Sequence, residues 1–120
     1  MRYELSQKFY FEAAHTLHRE IDAEGSRRIH GHTYHCEITL YGAPDPATGM
    51  LTDLAFVRKE IERVRGMLDH RFLDEVKDLG PPTLENLCTF LFKMLRISIP
   101  ELTRVSIERP ASGDSCSLSS

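Results

Sequence analysis

The sequence predicts an α+β domain in which one face of an antiparallel sheet is covered by two helices. Two alternating apolar–polar runs open the chain, two segments with apolar residues every three or four positions follow, and a third alternating run comes after them. The order is therefore β-β-α-α-β, and the serine-rich tail allows a short fourth strand. We expect a single domain over residues 1–120, because the chain shows no internal repeat or linker.

The two amino-terminal strands are predicted from period-two alternation. From Tyr3 to Ala13 the apolar and aromatic residues share one face of an extended chain, and the charged residues share the other. A second strand runs from about His30 to Tyr41, and its even-numbered positions are apolar after two histidines. The polar residues 19–29, which contain a glycine and a serine, are expected to form a loop between the strands.

The two helices are predicted from their apolar stripes and start signals. Thr52 or Asp53 can cap the first helix, and Thr83 can cap the second. The stripes are Leu54, Val57, Ile61, Val64 and Leu68 in the first helix, and Leu84, Leu87, Cys88, Leu91 and Leu95 in the second. Pro100 ends the second helix, and residues 102–109 are expected to form the third strand.

Composition excludes several classes of protein. Apolar residues make up 41% and charged residues 28% of the chain, as in soluble globular proteins, and no apolar run approaches the ~20 residues that span a bilayer. A formal charge of −3 provides no electrostatic footprint for nucleic acid. The three cysteines are widely spaced and the amino terminus has no apolar signal region, so we expect a cytoplasmic protein without a disulfide framework.

The predicted sheet also favours self-association. A four-stranded antiparallel sheet in a small domain leaves two edge strands whose backbone groups need partners or cover. Pairing the edges of several copies into a ring is one solution. We therefore expect a homo-oligomer.

Three histidines are candidates for a metal site. His30 and His32 lie two residues apart on a strand and so project from one face, which is half of a metal site or merely a polar strand start. His15 ends the first strand, so an antiparallel pairing of the two strands would bring all three imidazoles together. A catalytic zinc ion keeps three protein ligands and one open position, which this set can provide. His18 and His35, in a loop and on the opposite strand face, are expected to have surface roles.

Asp69 and His70 form a second candidate group after the first helix. A carboxylate beside an imidazole can orient it and raise its basicity for proton transfer. The alternative is a histidine that only interacts with the dipole at a helix carboxyl terminus.

Five ordered segments of the chain resemble the 6-pyruvoyltetrahydropterin synthase family, whose bacterial branch, similar in length, includes 6-carboxytetrahydropterin synthase of queuosine biosynthesis. The segments are Phe9–Leu17, His30–Tyr34, Gly49–Leu54, Leu68–Leu73 and Pro82–Leu87. The resemblance covers nearly the whole chain. It implies the tunnelling fold, in which β-β-α-α-β-β subunits close a barrel as a homotrimer, often stacked into a homohexamer.

The resemblance also implies an activity and its residues. It implies zinc (Zn²⁺) held by His15, His30 and His32, and Asp69 and His70 as a proton-relay pair. The implied substrate is the pterin 7,8-dihydroneopterin triphosphate, bound at subunit interfaces. The chain would then be a zinc-dependent lyase of the 6-carboxytetrahydropterin or 6-pyruvoyltetrahydropterin synthase type.

The chain departs from this family where the catalytic base is expected. In the bacterial branch a cysteine lies four residues before the first histidine of the His-Gly-His element, and here Ser26 occupies that position. A serine hydroxyl is far less acidic than a thiol, whose pKa is ~8.5, and needs a base of its own. Glu24 is our hypothesis for that base, Asp22 and Glu20 are the other acids of the loop, and Ser26 remains a substrate-binding candidate. Arg27, Arg28 and Lys8 either face the triphosphate or are ordinary solvated charges.

A second departure concerns the acid that anchors the pterin. The family shows Val-x-Val-x-Glu-Thr in its third strand, whereas here Arg109 holds the glutamate register and Glu108 lies one residue earlier. A shift of one residue turns a side chain to the other face unless a bulge intervenes. We favour a bulge that redirects Glu108, and the alternative is different pterin recognition. Glu85 is a second candidate acid.

These departures leave three functions open: the lyase described above, a divergent paralogue that cleaves the side chain differently, and a zinc-containing pterin-binding protein without turnover. The physiological pathway is equally open among queuosine, folate-type and biopterin-type roles, because fold does not fix function.

Overall fold

The computed structural model describes residues 1–120 and confirms the predicted α+β class. Its strands are β1 (Tyr3–His15), β2 (His30–Gly42), β3 (Leu102–Arg109) and β4 (Asp114–Ser119). Its helices are α1 (Ala23–Arg27), α2 (Leu54–Arg65) and α3 (Leu84–Arg96), with a 3-10 turn at Leu73–Glu75. The strands form one antiparallel sheet in the order β1-β2-β3-β4.

Strands β1 and β2 pair along their whole length, as their alternating patterns predict. The register places His15 opposite His30 and Ala13 opposite His32. The inward faces of the two strands meet in the core, where the rings of Phe11 and Tyr34 stack with centroids 4.8 Å apart. The end of β1 and the start of β2 therefore lie side by side, which places all three candidate ligands at one end of the sheet.

The helices cover one face of the sheet, and the capping residues are those that the sequence predicts. The Asp53 carboxylate accepts a hydrogen bond from the Ala55 amide at 2.9 Å, and the Thr83 hydroxyl accepts one from the Asn86 amide at 3.1 Å. The buried positions of the helices match their predicted stripes with three exceptions: Leu54 is half-buried, Leu68 is buried but lies beyond the end of α2, and Phe90 is buried in addition. No helix has the length and apolar character needed to cross a membrane.

The segment between β1 and β2 is not a simple loop as predicted, because it contains the short helix α1. Ser26 lies in this helix and is buried, and its carbonyl accepts a hydrogen bond of 2.7 Å from the Leu17 amide. Gly25 allows the Asp22 side chain to approach closely, since a Cβ atom there would lie 2.5 Å from an Asp22 carboxylate oxygen. A five-residue helix is too short to be stable by propensity, so these tertiary contacts, which local sequence patterns do not reveal, stabilise it.

The segment after α2 lies along the outer edge of β1. The His70 amide donates to the Glu12 carbonyl at 2.6 Å, and the Ala14 amide donates to the Arg71 carbonyl at 3.1 Å. These bonds pair backbone groups of the edge strand β1 that would otherwise have no hydrogen-bond partner within the sheet. They also place the Asp69–His70 pair beside the end of β1, close to the histidines.

Candidate metal centre and active site

The three predicted ligands converge. The Nε2 atom of His15 lies 2.9 Å from that of His30 and 3.0 Å from that of His32. The three rings stand nearly perpendicular to one another, at interplanar angles of 73°, 89° and 90°. The arrangement follows from strand geometry, since His30 and His32 share a face of β2 and His15 is paired directly with His30.

Backbone carbonyls orient two of these imidazoles. The Nδ1 atom of His15 lies 3.1 Å from the Pro82 carbonyl oxygen, and that of His30 lies 2.8 Å from the Arg28 carbonyl oxygen. A carbonyl only accepts, so in both rings Nδ1 carries the proton and Nε2 presents a lone pair in the neutral form. This is the second-sphere arrangement typical of metal-binding histidines.

The donor set fits a tetrahedral metal ion. Lone pairs on neighbouring Nε2 atoms would face one another, which is unfavourable unless a cation lies between them. Nitrogen ligands of zinc lie ~2.0–2.1 Å from the ion, which puts tetrahedral neighbours about 3.4 Å apart, so the observed 2.9 and 3.0 Å require only a small expansion. All three ligand atoms lie within 4.8 Å of one another.

Burial and neighbouring positive charges favour the neutral imidazoles of His15 and His32. Desolvation, followed by the charges of His15 and Arg109, lowers the pKa of His32 to about 4. Desolvation is also the main cause that lowers the pKa of His15, although the hydrogen bond to Pro82 opposes it. The ligand nitrogens of His15 and His32 are therefore unprotonated at neutral pH, as a metal requires.

Asp69 and His70 form the predicted pair. The Nδ1 atom of His70 donates to the Asp69 carboxylate at 2.9 Å, so its Nε2 atom is free to accept a proton. The same carboxylate accepts the Glu12 amide at 3.0 Å and lies 3.4 Å from the Arg65 guanidinium. The Glu12 hydrogen bond is the main cause that lowers the pKa of Asp69, with His70 and Arg65 adding to it against a smaller desolvation effect.

His70 lines a cavity that also includes one candidate metal ligand, His32. It is mostly exposed, with a side chain that is 78% accessible, and it lines a cavity of about 480 Å³ together with His32 and Thr33. Its φ of 58° is rare for a residue other than glycine, and such conformations cluster at functional sites. One proton-relay candidate, His70, and one metal candidate, His32, therefore line the same cavity.

The residues of the α1 segment do not line this cavity. Glu24 is exposed and forms an ion pair of 2.8 Å with Arg28. Ser26 is 1% exposed, and its hydroxyl donates to the Ala23 carbonyl at 3.0 Å. Arg27 is exposed at the end of the helix. In this conformation a base or a triphosphate ligand at these positions would need a rearrangement of α1 or a second subunit.

No bulge redirects Glu108. Its register is regular with both neighbouring strands, and it pairs with His35 on the uncovered face of the sheet. The single register shift between β2 and β3 lies between Thr39 and Leu40, at the other end of β3. The predicted bulge at Glu108 is therefore wrong. Within one chain, the Glu108 side chain lies on the face of the sheet opposite the three histidines. Lys8 is on that uncovered face as well.

Arg109 occupies the inward position instead. It lines a cavity of about 570 Å³ together with Glu85 and Thr83, beside the amino terminus of α3. Glu85, the second predicted acid, is thus the carboxylate that the structure places in a cavity on the helix-covered side. His18, expected to have only a surface role, lines the same cavity.

Sequence reasoning missed several residues that support the site. Pro82 orients His15 across 67 residues of chain, Arg65 holds Asp69, and the buried Tyr34 packs edge-on against His32 with centroids 5.7 Å apart. No local pattern indicates a carbonyl as a histidine partner. Arg65 could have been found, because it lies four residues before Asp69 at the end of α2.

Comparison with known proteins decides the family. The sequence model of the 6-pyruvoyl tetrahydropterin synthase family matches residues 4–119. The chain belongs to this family. A putative 6-pyruvoyl tetrahydrobiopterin synthase of Caenorhabditis elegans is 37% identical over 114 residues, which are 82% of this chain and 81% of that protein. The structure of a 6-pyruvoyl tetrahydropterin synthase from the same organism superposes with a TM-score of 0.87 at 26% identity, covering 100% of this chain and 96% of the other.

Family members with different activities have comparable sequence identity to this chain. A 6-carboxy-5,6,7,8-tetrahydropterin synthase of Synechocystis is 32% identical and covers 84% of this chain and 81% of its own. A dihydroneopterin monophosphate aldolase of Pyrococcus furiosus is 30% identical and covers 81% of both chains. A Plasmodium vivax 6-pyruvoyltetrahydropterin synthase, studied as a variant with a catalytic glutamate replaced by cysteine, has a TM-score of 0.73 and covers 100% of this chain and 99% of its own. It is 17% identical, so this likeness shows the tunnelling fold alone.

Proposed function

We propose that the chain is a zinc-dependent enzyme that acts on the side chain of 7,8-dihydroneopterin triphosphate or a closely related dihydroneopterin phosphate. The convergence of the His15, His30 and His32 Nε2 atoms, with two rings held in the ligating tautomer, is the observation that carries the proposal. Zinc bound there would supply Lewis-acid activation of the hydroxyl groups of the substrate side chain.

The protein residues then hold and move protons. His70 accepts a proton at Nε2 while Asp69 holds its Nδ1 proton, and Asp69 is held by the Glu12 amide and Arg65. The cavity that His70 shares with His32 gives the substrate side chain a position between the metal ligands and the relay. Glu85, in the second cavity, is our candidate for binding the donor edge of the pterin ring in place of Glu108.

The identity of the base separates two reactions. A synthase removes a proton from carbon and needs a general base positioned at that carbon, and Glu24 is the ionisable acid of α1 that could serve, since α1 contains no cysteine. The catalytic glutamate of the Plasmodium vivax enzyme supports a glutamate in this role. Glu24 would have to leave its ion pair with Arg28 to act.

The second candidate function is a retro-aldol cleavage of the side chain, as in the Pyrococcus furiosus relative. Such a cleavage starts with the removal of a hydroxyl proton, which is far more acidic than a carbon-bound one. It therefore places a lower demand on the base, and His70 could meet it. The absence of a thiol from the α1 segment favours this alternative.

The deciding experiment is product analysis. Zinc-loaded protein is incubated with 7,8-dihydroneopterin triphosphate and, separately, with the monophosphate, and products are identified by mass spectrometry. A carboxytetrahydropterin or pyruvoyltetrahydropterin supports the synthase, and a hydroxymethylpterin supports the cleavage. Unchanged substrates would overturn both and leave a pterin-binding protein without turnover.

Variants identify the base once a product is known. For a synthase, Glu24→Gln should abolish turnover without loss of zinc, whereas Glu20→Gln, a change of the same kind in the same polar segment, should not. For the cleavage, His70→Ala should reduce kcat by about 10²–10⁴, the usual contribution of a general acid–base group, and Glu24→Gln should have little effect. Full synthase activity in the Glu24→Gln protein would exclude Glu24 as the base.

A further inference from the structure

The three cysteines of the chain lie together in the fold, although they are far apart in the sequence. Cys36 on β2 is paired with Ile107 on β3, and Ile107 is paired in turn with Cys116 on β4. These residues form a row on the helix-covered face of the sheet, and Cys88 lies over the row on the buried side of α3. Cys36 is four residues beyond His32, which is about 13 Å along an extended strand, so the cysteines form a group separate from the candidate metal ligands.

Cys88 and Cys116 are in direct contact. The Cys88 thiol donates a hydrogen bond to the Cys116 carbonyl oxygen, with 3.5 Å between sulfur and oxygen, so the Cys88 side chain reaches the backbone of its neighbour. Desolvation and then the Cys116 thiol, through its charge and a hydrogen bond between the side chains, raise the pKa of Cys88. A disulfide requires Cβ atoms within ~4.5 Å of each other, and side chains in such contact are close to that spacing.

Cys36 is a reference thiol in the same group. Strand β3 separates it from Cys116, and because neighbouring strands lie ~4.8 Å apart, the Cα atoms of the two residues are about 10 Å apart. This exceeds the limit of ~7 Å for bridging. Cys36 is 3% exposed, and desolvation, with a smaller effect of Cys88, raises the pKa of its thiol. Buried thiols of this kind are unreactive.

The two contacting thiols differ in their access to solvent. Cys116 is half-buried on β4, the last strand of the sheet, which has a strand neighbour on one side only. Cys88 is 1% exposed. A small oxidant dissolved in water therefore reaches Cys116 first. A resolving thiol next to an accessible one is a common feature of redox-sensitive cysteines.

We propose that Cys88 and Cys116 form a reversible dithiol–disulfide site whose oxidant is a small disulfide of the glutathione type. The Cys116 thiolate attacks one sulfur of the oxidant, the sulfur–sulfur bond of the oxidant breaks, and its other half leaves as a thiolate that takes up a proton. Cys88 then loses its proton and attacks the Cys116 sulfur, which releases the second half of the oxidant. Two protein thiols are thereby oxidised to one disulfide, and the oxidant is reduced to two thiols.

The disulfide would join helix α3 to the edge strand β4 and close a loop that contains β3. Oxidation should therefore stabilise the fold, because a cross-link restricts the unfolded chain more than the folded one. It would also hold β4 against the helix layer, so the redox state would control how easily this edge of the sheet opens. This site is independent of the proposed function, since it involves none of the residues assigned to metal or substrate.

Peptide mapping of the full-length protein tests the site. The protein is equilibrated with mixtures of reduced and oxidised glutathione, quenched with acid, denatured and alkylated, and the peptides are identified by mass spectrometry. The alkylated cysteines should fall from three to one as the mixture becomes oxidising, with a peptide pair linked through Cys88 and Cys116 and with Cys36 alkylated throughout. Dithiothreitol should restore all three, and the oxidised protein should have a Tm several degrees higher than the reduced one.

Variants separate the two steps. Cys88→Ser should stop at the mixed disulfide, with one glutathione on Cys116, whereas Cys36→Ser, the same change at the other buried cysteine, should still form the disulfide. Three free thiols in the wild type under oxidising conditions, a glutathione that persists on its Cys116, or a bridge that includes Cys36 would overturn the proposal. These three outcomes are measured on the wild type, so the decision does not depend on the folding of either variant.

Discussion

His30 and His32 are brought together by strand geometry alone, but His15 depends on a partner strand. Period two places the first two on one face, and the direct pairing of His15 with His30 adds the third. The Pro82 carbonyl then selects the tautomer that turns Nε2 of His15 toward the others. Three side chains and two backbone carbonyls thus account for the candidate metal centre.

Removing one ligand should abolish metal binding. His15→Ala should lose bound zinc, measured by elemental analysis after desalting, and should lose the rise in Tm that zinc gives the wild type, because only a ligand that binds the native state stabilises it. His35→Ala removes an imidazole from the uncovered face and is the control. Stoichiometric zinc in the His15→Ala protein would contradict the three-histidine site.

At the scale of elements, the connection that follows α2 positions a candidate catalytic side chain, that of His70. Residues 69–72 follow the end of β1 and take their conformation from its backbone groups, which fixes His70 at a positive φ. Helix α3 contributes in another way, since its capping residue Thr83 adjoins Pro82, the partner of His15. Residues 69–72 and helix α3 therefore each contribute to the fold and also position residues of the candidate site.

The tether between Asp69 and β1 should depend on pH. The pKa of Asp69 is lowered in the folded protein, so its ionised form stabilises the fold above the unfolded pKa of about 3.9, and this contribution is lost as the pH falls through the lowered value. Asp69→Asn should therefore be less stable than wild type at pH 7, and the difference in Tm should shrink below pH ~4. A difference independent of pH would contradict this role of the carboxylate.

Capping of α3 can be tested separately. Thr83→Ala removes the hydroxyl that accepts the Asn86 amide and should lower the free energy of unfolding by about 1 kcal/mol, measured by urea denaturation. Thr83→Ser keeps the acceptor and is the matched control. Equal losses in the two variants would show that methyl packing, not capping, is responsible.

At the scale of the whole molecule, the sheet has two edges of different character. Part of β1 is covered by residues 69–72, whereas the outer side of β4 has no strand partner within the chain. We propose that β4 of one copy pairs with the open part of β1 of the next and closes a ring.

Native mass spectrometry tests this assembly. We expect species at three or six times the 13.8 kDa chain mass, because closure into a ring leaves no open edge. Urea at concentrations that dissociate the ring should also reduce turnover if active sites lie between subunits. A monomer at micromolar concentration with full activity would contradict the proposal.

The sequence by itself determined strands β1, β2 and β3, helices α2 and α3 with their caps, and the shared face of His30 and His32, because these depend on local periodicity and on side-chain bonds to nearby amides. The tertiary structure decided what depends on contacts distant in sequence: the helix around Ser26, the Pro82 carbonyl on His15 and the place of His70 along β1. It also decided between Glu108 and Arg109. A bulge is a property of strand pairing, and the regular register of β3 puts the arginine, not the glutamate, on the face of the sheet that carries the candidate metal ligands.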